Sequence, residues 1–221
     1  MRDTDYLVLD FDGTIADTLQ MALAVYNRIA PEYNFLPAGD EDIELFRTKK
    51  PQALLRTYGI SKLKLLTLTL RIRKEMSHHI PEMKLFDGMG AALSEIRDAG
   101  CRIGILTSNS VENVRAFLEV NLLGHLVDFI YSGRSLFGKE KIIRKMLLRE
   151  QIDAGRVVYA GDETRDIEAC QAAGIPIIAV SWGLNRRELL ASLSPDLITD
   201  TPAELPGCVK KAFTIVPGRR K

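Results

Sequence analysis

The residues best placed to do chemistry stand at the start of the chain, where Asp10-Phe11-Asp12-Gly13-Thr14 follows the apolar run Leu7-Val8-Leu9. Side chains alternate along an extended strand, so Asp10 and Asp12 leave on one side and Phe11 on the other. Carboxylates a few ångströms apart repel unless a cation or a proton lies between them, so the pair suits chemistry that supplies one or the other. Gly13 permits a tight turn in which backbone approaches a ligand. An isolated Asp-Gly is usually no more than a turn; an Asp-x-Asp-Gly-Thr directly behind a hydrophobic strand is far more specific.

Other chemical features carry less. Gly133-Arg134-Ser135-Leu136-Phe137-Gly138-Lys139 has the spacing of a nucleotide-binding P-loop. Glu140 then stands where a Ser or Thr hydroxyl would hold a metal ion, and a carboxylate there would repel phosphate. His78 and His79 precede Pro81 with no cysteine or third histidine at useful spacing, and read as helix-terminal residues favoured by the dipole. Arg47, Lys49 and Lys50 beside Pro51 form either a solvated charge run or, on a loop facing a site, a grip for an anionic substrate. Trp182-Gly183-Leu184 reads as a packed aromatic at a strand end. Cys101, Cys170 and Cys208 have neither disulfide nor metal-site spacing, which suits a reducing compartment.

The elements that must position Asp10 and Asp12 follow from hydrophobic pattern. Residues 6–11, 102–106, 129–131, 157–160 and 177–181 are short β-branched or aromatic runs ending in polar residues or glycine, the pattern of buried strands. Helical periodicity covers 85–99, 112–119, 141–150 and 166–173. Strand and helix in alternation predict an α/β fold with a parallel sheet covered on both faces, whose ligands bind beyond the carboxyl ends of the strands. Some 90 residues separate the first two strands, far more than a crossover requires. That segment is helical in pattern over 19–30 and 62–80 and is punctuated by Pro31, Pro37-Ala38-Gly39, Pro51 and Tyr58-Gly59. It predicts an inserted helical subdomain over 17–84, with the core formed by 1–16 and 85–221 and a frayed basic tail at 218–221.

Composition agrees with this picture. The 221 residues carry 30 Lys+Arg against 29 Asp+Glu, a balance that argues against a dedicated nucleic-acid binder. A hydrophobic fraction of 46% supports a sizeable core. No run reaches the roughly 18 apolar residues that span a bilayer, and the N-terminus leads into a strand and not into a signal peptide. A cytoplasmic protein with no membrane partner is expected. Sequence leaves open whether it is a monomer or a homodimer.

The strand ends, taken in order, resemble the haloacid dehalogenase-like (HAD) phosphatase superfamily. Asp10-Phe11-Asp12-Gly13-Thr14 is similar to its first motif. Thr107-Ser108-Asn109 matches the hydroxyl of the second, and Gly161-Asp162-Glu163-Thr164-Arg165-Asp166 matches the acidic fourth, with two aspartates four apart. Lys139 or Lys141 supplies the lysine of the third. Lys139 is preferred because it comes just before the helix, whereas Lys141 inside the first turn would point to solvent. The resemblance spans essentially the whole chain, and the insert corresponds to the cap of the phosphoglycolate phosphatase-like subgroup.

The resemblance implies a Rossmann-like core and a Mg²⁺-dependent phosphatase acting on a small phosphorylated metabolite, with phosphoglycolate as a candidate. It casts Asp10 as the nucleophile that forms an aspartyl-phosphate and Asp12 as the acid and then the base. Thr107, Ser108 and Asn109 would bind the phosphoryl group, and Lys139 would offset its charge. Mg²⁺ would sit on the Asp10 carboxylate, the Asp12 carbonyl and Asp162, with Asp166 a ligand or a neighbour of one; Arg165 would orient Asp166. A phosphomutase using the same intermediate and a non-catalytic binding protein on the same fold are the alternatives. A dehalogenase fits less well, because Asp12 is suited to protonating an alkoxide.

Overall fold

The computed structural model describes residues 4–50, 53, 56, 61–133 and 138–215. The central sheet contains β1 (Tyr6–Leu9), β4 (Arg102–Thr107), β5 (Phe129–Ser132), β6 (Val157–Gly161), β7 (Ile177–Val180) and β8 (Leu197–Thr199). All its pairings are parallel, in the order β5-β4-β1-β6-β7-β8. Tyr6 lies opposite Arg102 on one side and Val157 on the other, and Leu9 opposite Ile105 and Ala160. The carboxyl ends of β4, β1 and β6 are therefore adjacent, where such sheets bind ligands.

Alternation along the strands divides the core into two layers. Leu7, Leu9, Ile103, Ile105, Val158, Ala160, Ile178 and Val180 belong to one cluster. Val8, Leu106, Val157, Tyr159, Ile177 and Ala179 belong to the other. Strands buried on both faces must be apolar throughout, which is why these runs show no polar face.

Between β1 and β4 the chain forms β2 (Ala16–Asp17), α1 (Leu19–Ile29), α2 (Asp40–Thr48), α3 (Lys62–Met76) and β3 (Lys84–Leu85). β2 pairs antiparallel with β3, bringing the two ends of this segment together. Val25 and Ile29 of α1 and Leu68 and Met76 of α3 are buried, and Arg28 pairs with Glu75 across the helices at 2.9 Å. The first layer of the sheet is covered by α4 (Met89–Asp98), α5 (Val111–Val120) and a terminal helix, Leu205–Ile215. The second is covered by α6 (Lys139–Glu150), α7 (Thr164–Ala173) and α8 (Arg187–Ala191); the terminal helix is α9.

Several boundaries differ from the periodicity. The helix expected over 62–80 ends at Met76 and tightens into a 3-10 turn over Ser77–Glu82, because Pro81 lacks the N–H that would continue it. The helix expected from 85 starts at Met89, since Leu85 is used in pairing with Ala16. Those expected from 141 and 166 start at Lys139 and Thr164. β8 and α9 were not anticipated: three strand residues are too few to show a period, and Pro206-Gly207 near the start of α9 interrupts its pattern. Residues 134–137 of the P-loop-like stretch, Pro51, Tyr58-Gly59 and the tail at 218–221 lie outside the described residues. Among the described residues no helix is long and apolar enough to cross a membrane.

Candidate active site

Asp10 follows β1 and extends its pairing, donating its backbone N–H to Ala160 O at 2.9 Å. Its side chain is buried. Oδ1 accepts the Phe11 N–H at 2.7 Å, and Oδ2 accepts Lys139 Nζ at 2.6 Å. Lys139 also donates to Asp166 Oδ1, and its ammonium lies 5.2 Å from the centre of the Tyr159 ring. Lys139 is only 8% exposed, although it is the first residue of α6; Lys141 faces solvent. Burial works to lower the Lys139 amine, but the charges of Asp10 and Asp166 outweigh it, so the group is raised and stays an ammonium.

Asp162 follows β6. Its Oδ1 accepts the Thr14 hydroxyl at 2.8 Å and its Oδ2 the Leu184 N–H at 2.8 Å. Two glycines make room for it. A Cβ on Gly13, whose φ is +77°, would fall 2.2 Å from Asp162 Oδ2, and one on Gly183 would fall 2.2 Å from Gly13 O and 2.4 Å from the same carboxylate oxygen. Asp166 is the third residue of α7; its carboxylate accepts the Glu163 N–H at 3.1 Å as well as the lysine. Burial, then the surrounding carboxylates, push Asp162 well above the usual carboxylate range. Asp166 is raised by burial, with Lys139 opposing.

One carboxylate oxygen from each of Asp10, Asp162 and Asp166 lies within 4.8 Å of the others. Oxygens bound to a single Mg²⁺ at about 2.1 Å are at most about 4.2 Å apart, so the cluster fits that ion with a slight contraction or with one ligand reached through water. An all-oxygen donor set suits a hard divalent cation. Three buried carboxylates against one ammonium also leave negative charge that a cation would neutralise.

Asp12 is half-buried and accepts Asn109 Nδ2 at 3.1 Å on Oδ2. Burial and then the charge of Asp10 push its carboxyl up to about 6, against the opposing donors of Asn109 and Thr18. Asn109 is itself held: its Oδ1 accepts the Ser110 N–H at 2.8 Å and Asn113 Nδ2 at 3.0 Å, and its N–H donates to Thr107 Oγ1 at 2.9 Å. Thr107, at the end of β4, thus uses its hydroxyl as an acceptor, leaving its own proton to donate. Ser108 lies between them, half-buried. The structure therefore brings together Asp10, Asp12, Thr107, Asn109, Lys139, Asp162 and Asp166 beyond three adjacent strands.

Residues outside the motifs complete the surroundings. Arg165 pairs with Glu163, and Asp166 is oriented by Lys139 and the Glu163 N–H instead of by Arg165, because the helix start turns the arginine toward its N-cap residue. Arg73 of α3 is half-buried, and burial lowers its guanidinium while the charge of Asp12 opposes. Sequence reasoning missed it; the available signal was its place between Ile72 and Met76, which pack into the core. Arg47 reaches the loop after β7, donating to Gly183 O at 3.3 Å, and Lys50 pairs with Glu168 at 2.8 Å; Lys49 is exposed. His79 pairs with Glu82 at 3.2 Å, and His78 is exposed. Trp182 packs against Phe86 and donates Nε1 to Thr14 O at 3.0 Å, a structural role beneath the motif turn.

Comparison with known proteins identifies the family of the chain. The model of the haloacid dehalogenase-like hydrolase family matches residues 7–180. Over 199 residues the chain is 32% identical to the phosphoglycolate phosphatase of Synechococcus elongatus, covering 90% of this chain and 94% of that one. It is 25% identical over 224 residues to the phosphoglycolate phosphatase of Pseudomonas putida, covering 95% and 81%. The crystal structure of a predicted phosphatase from Clostridium acetobutylicum superposes with a TM-score of 0.80 at 20% identity, covering 94% of this chain and 99% of that one, a likeness of fold. The chain belongs to the haloacid dehalogenase-like hydrolase family and is phosphoglycolate phosphatase-like.

Proposed function

We propose that this haloacid dehalogenase-like hydrolase is a Mg²⁺-dependent phosphatase that releases phosphate from a small phosphorylated metabolite through an aspartyl-phosphate on Asp10, with residues 17–84 as a cap over the site. Phosphoglycolate is the proposed substrate, by analogy with the relatives from Synechococcus elongatus and Pseudomonas putida. One observation carries the reading: beyond one strand, Asp10 faces the Lys139 ammonium at 2.6 Å while Asp12, two residues on, is pushed up to about 6 beside Asn109. Two carboxylates in such different surroundings suit two different roles.

Asp10, Asp162 and the Asp12 carbonyl would hold Mg²⁺, with Asp166 a direct or water-linked ligand; when bound, the ion offsets the charge that opposes bringing an anionic ester against anionic carboxylates. In the first step a carboxylate oxygen of Asp10 bonds to phosphorus as the ester P–O bond breaks, and Asp12 gives its proton to the departing oxygen. In the second step Asp12, now a carboxylate, takes a proton from water as that water attacks phosphorus, freeing Asp10 and inorganic phosphate. A group with its pKa near 6 exchanges a proton in both directions near neutral pH. Lys139 balances the transferring group, and the free proton of the Thr107 hydroxyl donates to a phosphoryl oxygen.

The substrate is a small molecule in this reading, and the near-neutral net charge of +1 supports no polyanion partner. The three free cysteines suit a cytoplasmic location. The test is Asp10→Asn. It should abolish Mg²⁺-dependent release of p-nitrophenol from p-nitrophenyl phosphate while circular dichroism stays that of the wild type. Retained turnover would overturn the assignment.

A further inference from the structure

The loop after β7 holds two parts of the molecule at once. Toward the core, Leu184 N–H donates to Asp162 Oδ2 at 2.8 Å and Asn185 N–H to Asp162 O at 3.3 Å, while Asn185 Oδ1 accepts the N–H of Thr164, the first residue of α7, at 2.9 Å. Toward the inserted segment, Asn185 Nδ2 donates to Phe46 O at 3.2 Å, Arg186 N–H donates to Arg47 O at 2.9 Å, and Gly183 O accepts Arg47 Nη2 at 3.3 Å. Asn185 is 3% exposed and spends both ends of its amide on this bridge.

The two sides differ in what else holds them. On the core side, Ile167 and Cys170 of α7 are fully buried. No residue of α2 is buried, so its docking depends on polar contacts. Phe46 and Arg47 fall in its last turn, where helix carbonyls have no intrahelical partner, and the loop supplies two of the missing donors. The Arg186–Glu44 pair adds little, since both side chains are about half exposed. Arg47 Nε is buried with no hydrogen-bond partner among the described residues, a cost that works against docking. A helix held in this way opens locally at low free energy, and its docked state needs the loop in place.

We propose that Asn185 is a positioning residue that couples docking of α2 to cation binding at Asp162. A divalent cation on Asp162 fixes the carboxylate that Leu184 N–H holds, and with it the loop whose donors cap α2. Docked α2, in turn, keeps the loop in the shape that orients Asp162. Such coupling is reciprocal, so each event favours the other by the same factor. The metal-loaded protein is then the one with α2 docked, the state in which a closed segment shields a site from water. This rests on the Mg²⁺ reading of the site and adds the side chain that joins that site to the inserted segment.

The experiment measures amide hydrogen exchange of α2, residues 40–48, with and without Mg²⁺, beside a calorimetric titration with MgCl₂, for the wild type, Asn185→Leu and Asn185→Asp. Mg²⁺ should slow exchange in wild-type α2 by about five- to tenfold, the lower range of coupling between sites. Asn185→Leu should bind Mg²⁺ more weakly by about the same factor, and its α2 should exchange at one rate with and without the ion. Asn185→Asp keeps an acceptor for the Thr164 N–H but loses the donor to Phe46 O, so it should lose the α2 response while the Thr164 amide stays protected. A purely structural role would speed exchange in α2 at every Mg²⁺ concentration and leave the response to the ion intact. A wild type that binds Mg²⁺ with no change in α2, or a variant that keeps the wild-type response, overturns the proposal and leaves the phosphatase reading standing. A wild type that binds no Mg²⁺ overturns both the proposal and the Mg²⁺ reading. Should Asn185→Leu not fold, the α2 response of Asn185→Asp decides: lost, it supports the coupling; kept, it refutes it.

Discussion

Replacing Lys139 by methionine removes the ammonium from between two buried carboxylates while keeping most of the side-chain volume. Asp10 and Asp166 are 2% and 0% exposed and both accept from this amine. Breaking a buried pair by removing one partner costs about 3–5 kcal/mol, because the remaining charge is left uncompensated. In a chain of this size that corresponds to a fall in Tm of about 6–20 °C. The deficit should depend on pH, and the sign follows from Asp166. Burial already raises its carboxyl, and losing Lys139 raises it further. Its value in the unfolded chain is about 4. Between that value and the raised one, the native state holds a proton that the unfolded chain has lost, so stability falls as pH rises through the window. Each pH unit crossed in this way is worth about 1.4 kcal/mol. Urea unfolding of wild type and Lys139→Met at pH 8 and pH 5.5, in the presence of a chelator, should give the full deficit at pH 8 and a deficit smaller by about 2 kcal/mol at pH 5.5. Lys141→Met, on the exposed side of the same helix turn, should stay within about 0.5 kcal/mol of wild type at both. An equal deficit at the two pH values, or a larger loss in the Lys141 variant, would refute the reasoning.

Two further outcomes follow from the same geometry. Cleavage of the ester needs Asp12 protonated, so kcat/KM at saturating Mg²⁺ should decline toward tenfold per pH unit above about 6; Asn109→Leu removes donors that favour the carboxylate, so this alkaline limb should move up by about one pH unit, and a pH–rate profile with the limb unmoved would refute the role. Gly13→Ala places a methyl 2.2 Å from Asp162 Oδ2 on a residue with φ +77°, costing about 1–2 kcal/mol in backbone strain alone; Mg²⁺ titration by calorimetry should show affinity weakened at least about tenfold as Asp162 is displaced.

Much of the core was legible because it depends on short-range pattern. Five of the six sheet strands are continuous apolar runs, as strands covered on both faces must be, and each ends where a polar residue reaches the ligand edge. β8 was not legible, since Leu197-Ile198-Thr199 is too short for a period and is identified only by lying beside β7. The proposed insertion over 17–84 rests on the distance between the first two strands. The pairing of Ala16 with Leu85 that closes the segment involves only two residues per strand and leaves no mark in local sequence.

The site divides along the same line. The placement of Asp10, Asp12, Thr107 and Asp162 at strand ends was legible in the sequence, because strand ends are read from hydrophobic periodicity within a few residues. Which lysine faces Asp10 was decided by where α6 begins: two residues along a helix rotate a side chain by about 200°, enough to exchange the interior for solvent. The Asn109 amide on Asp12 and the glycines that admit Asp162 join residues far apart in the chain. Only the packing of β4 and the loop after β7 around one sheet edge brings them within reach, and no local preference of those residues encodes that meeting.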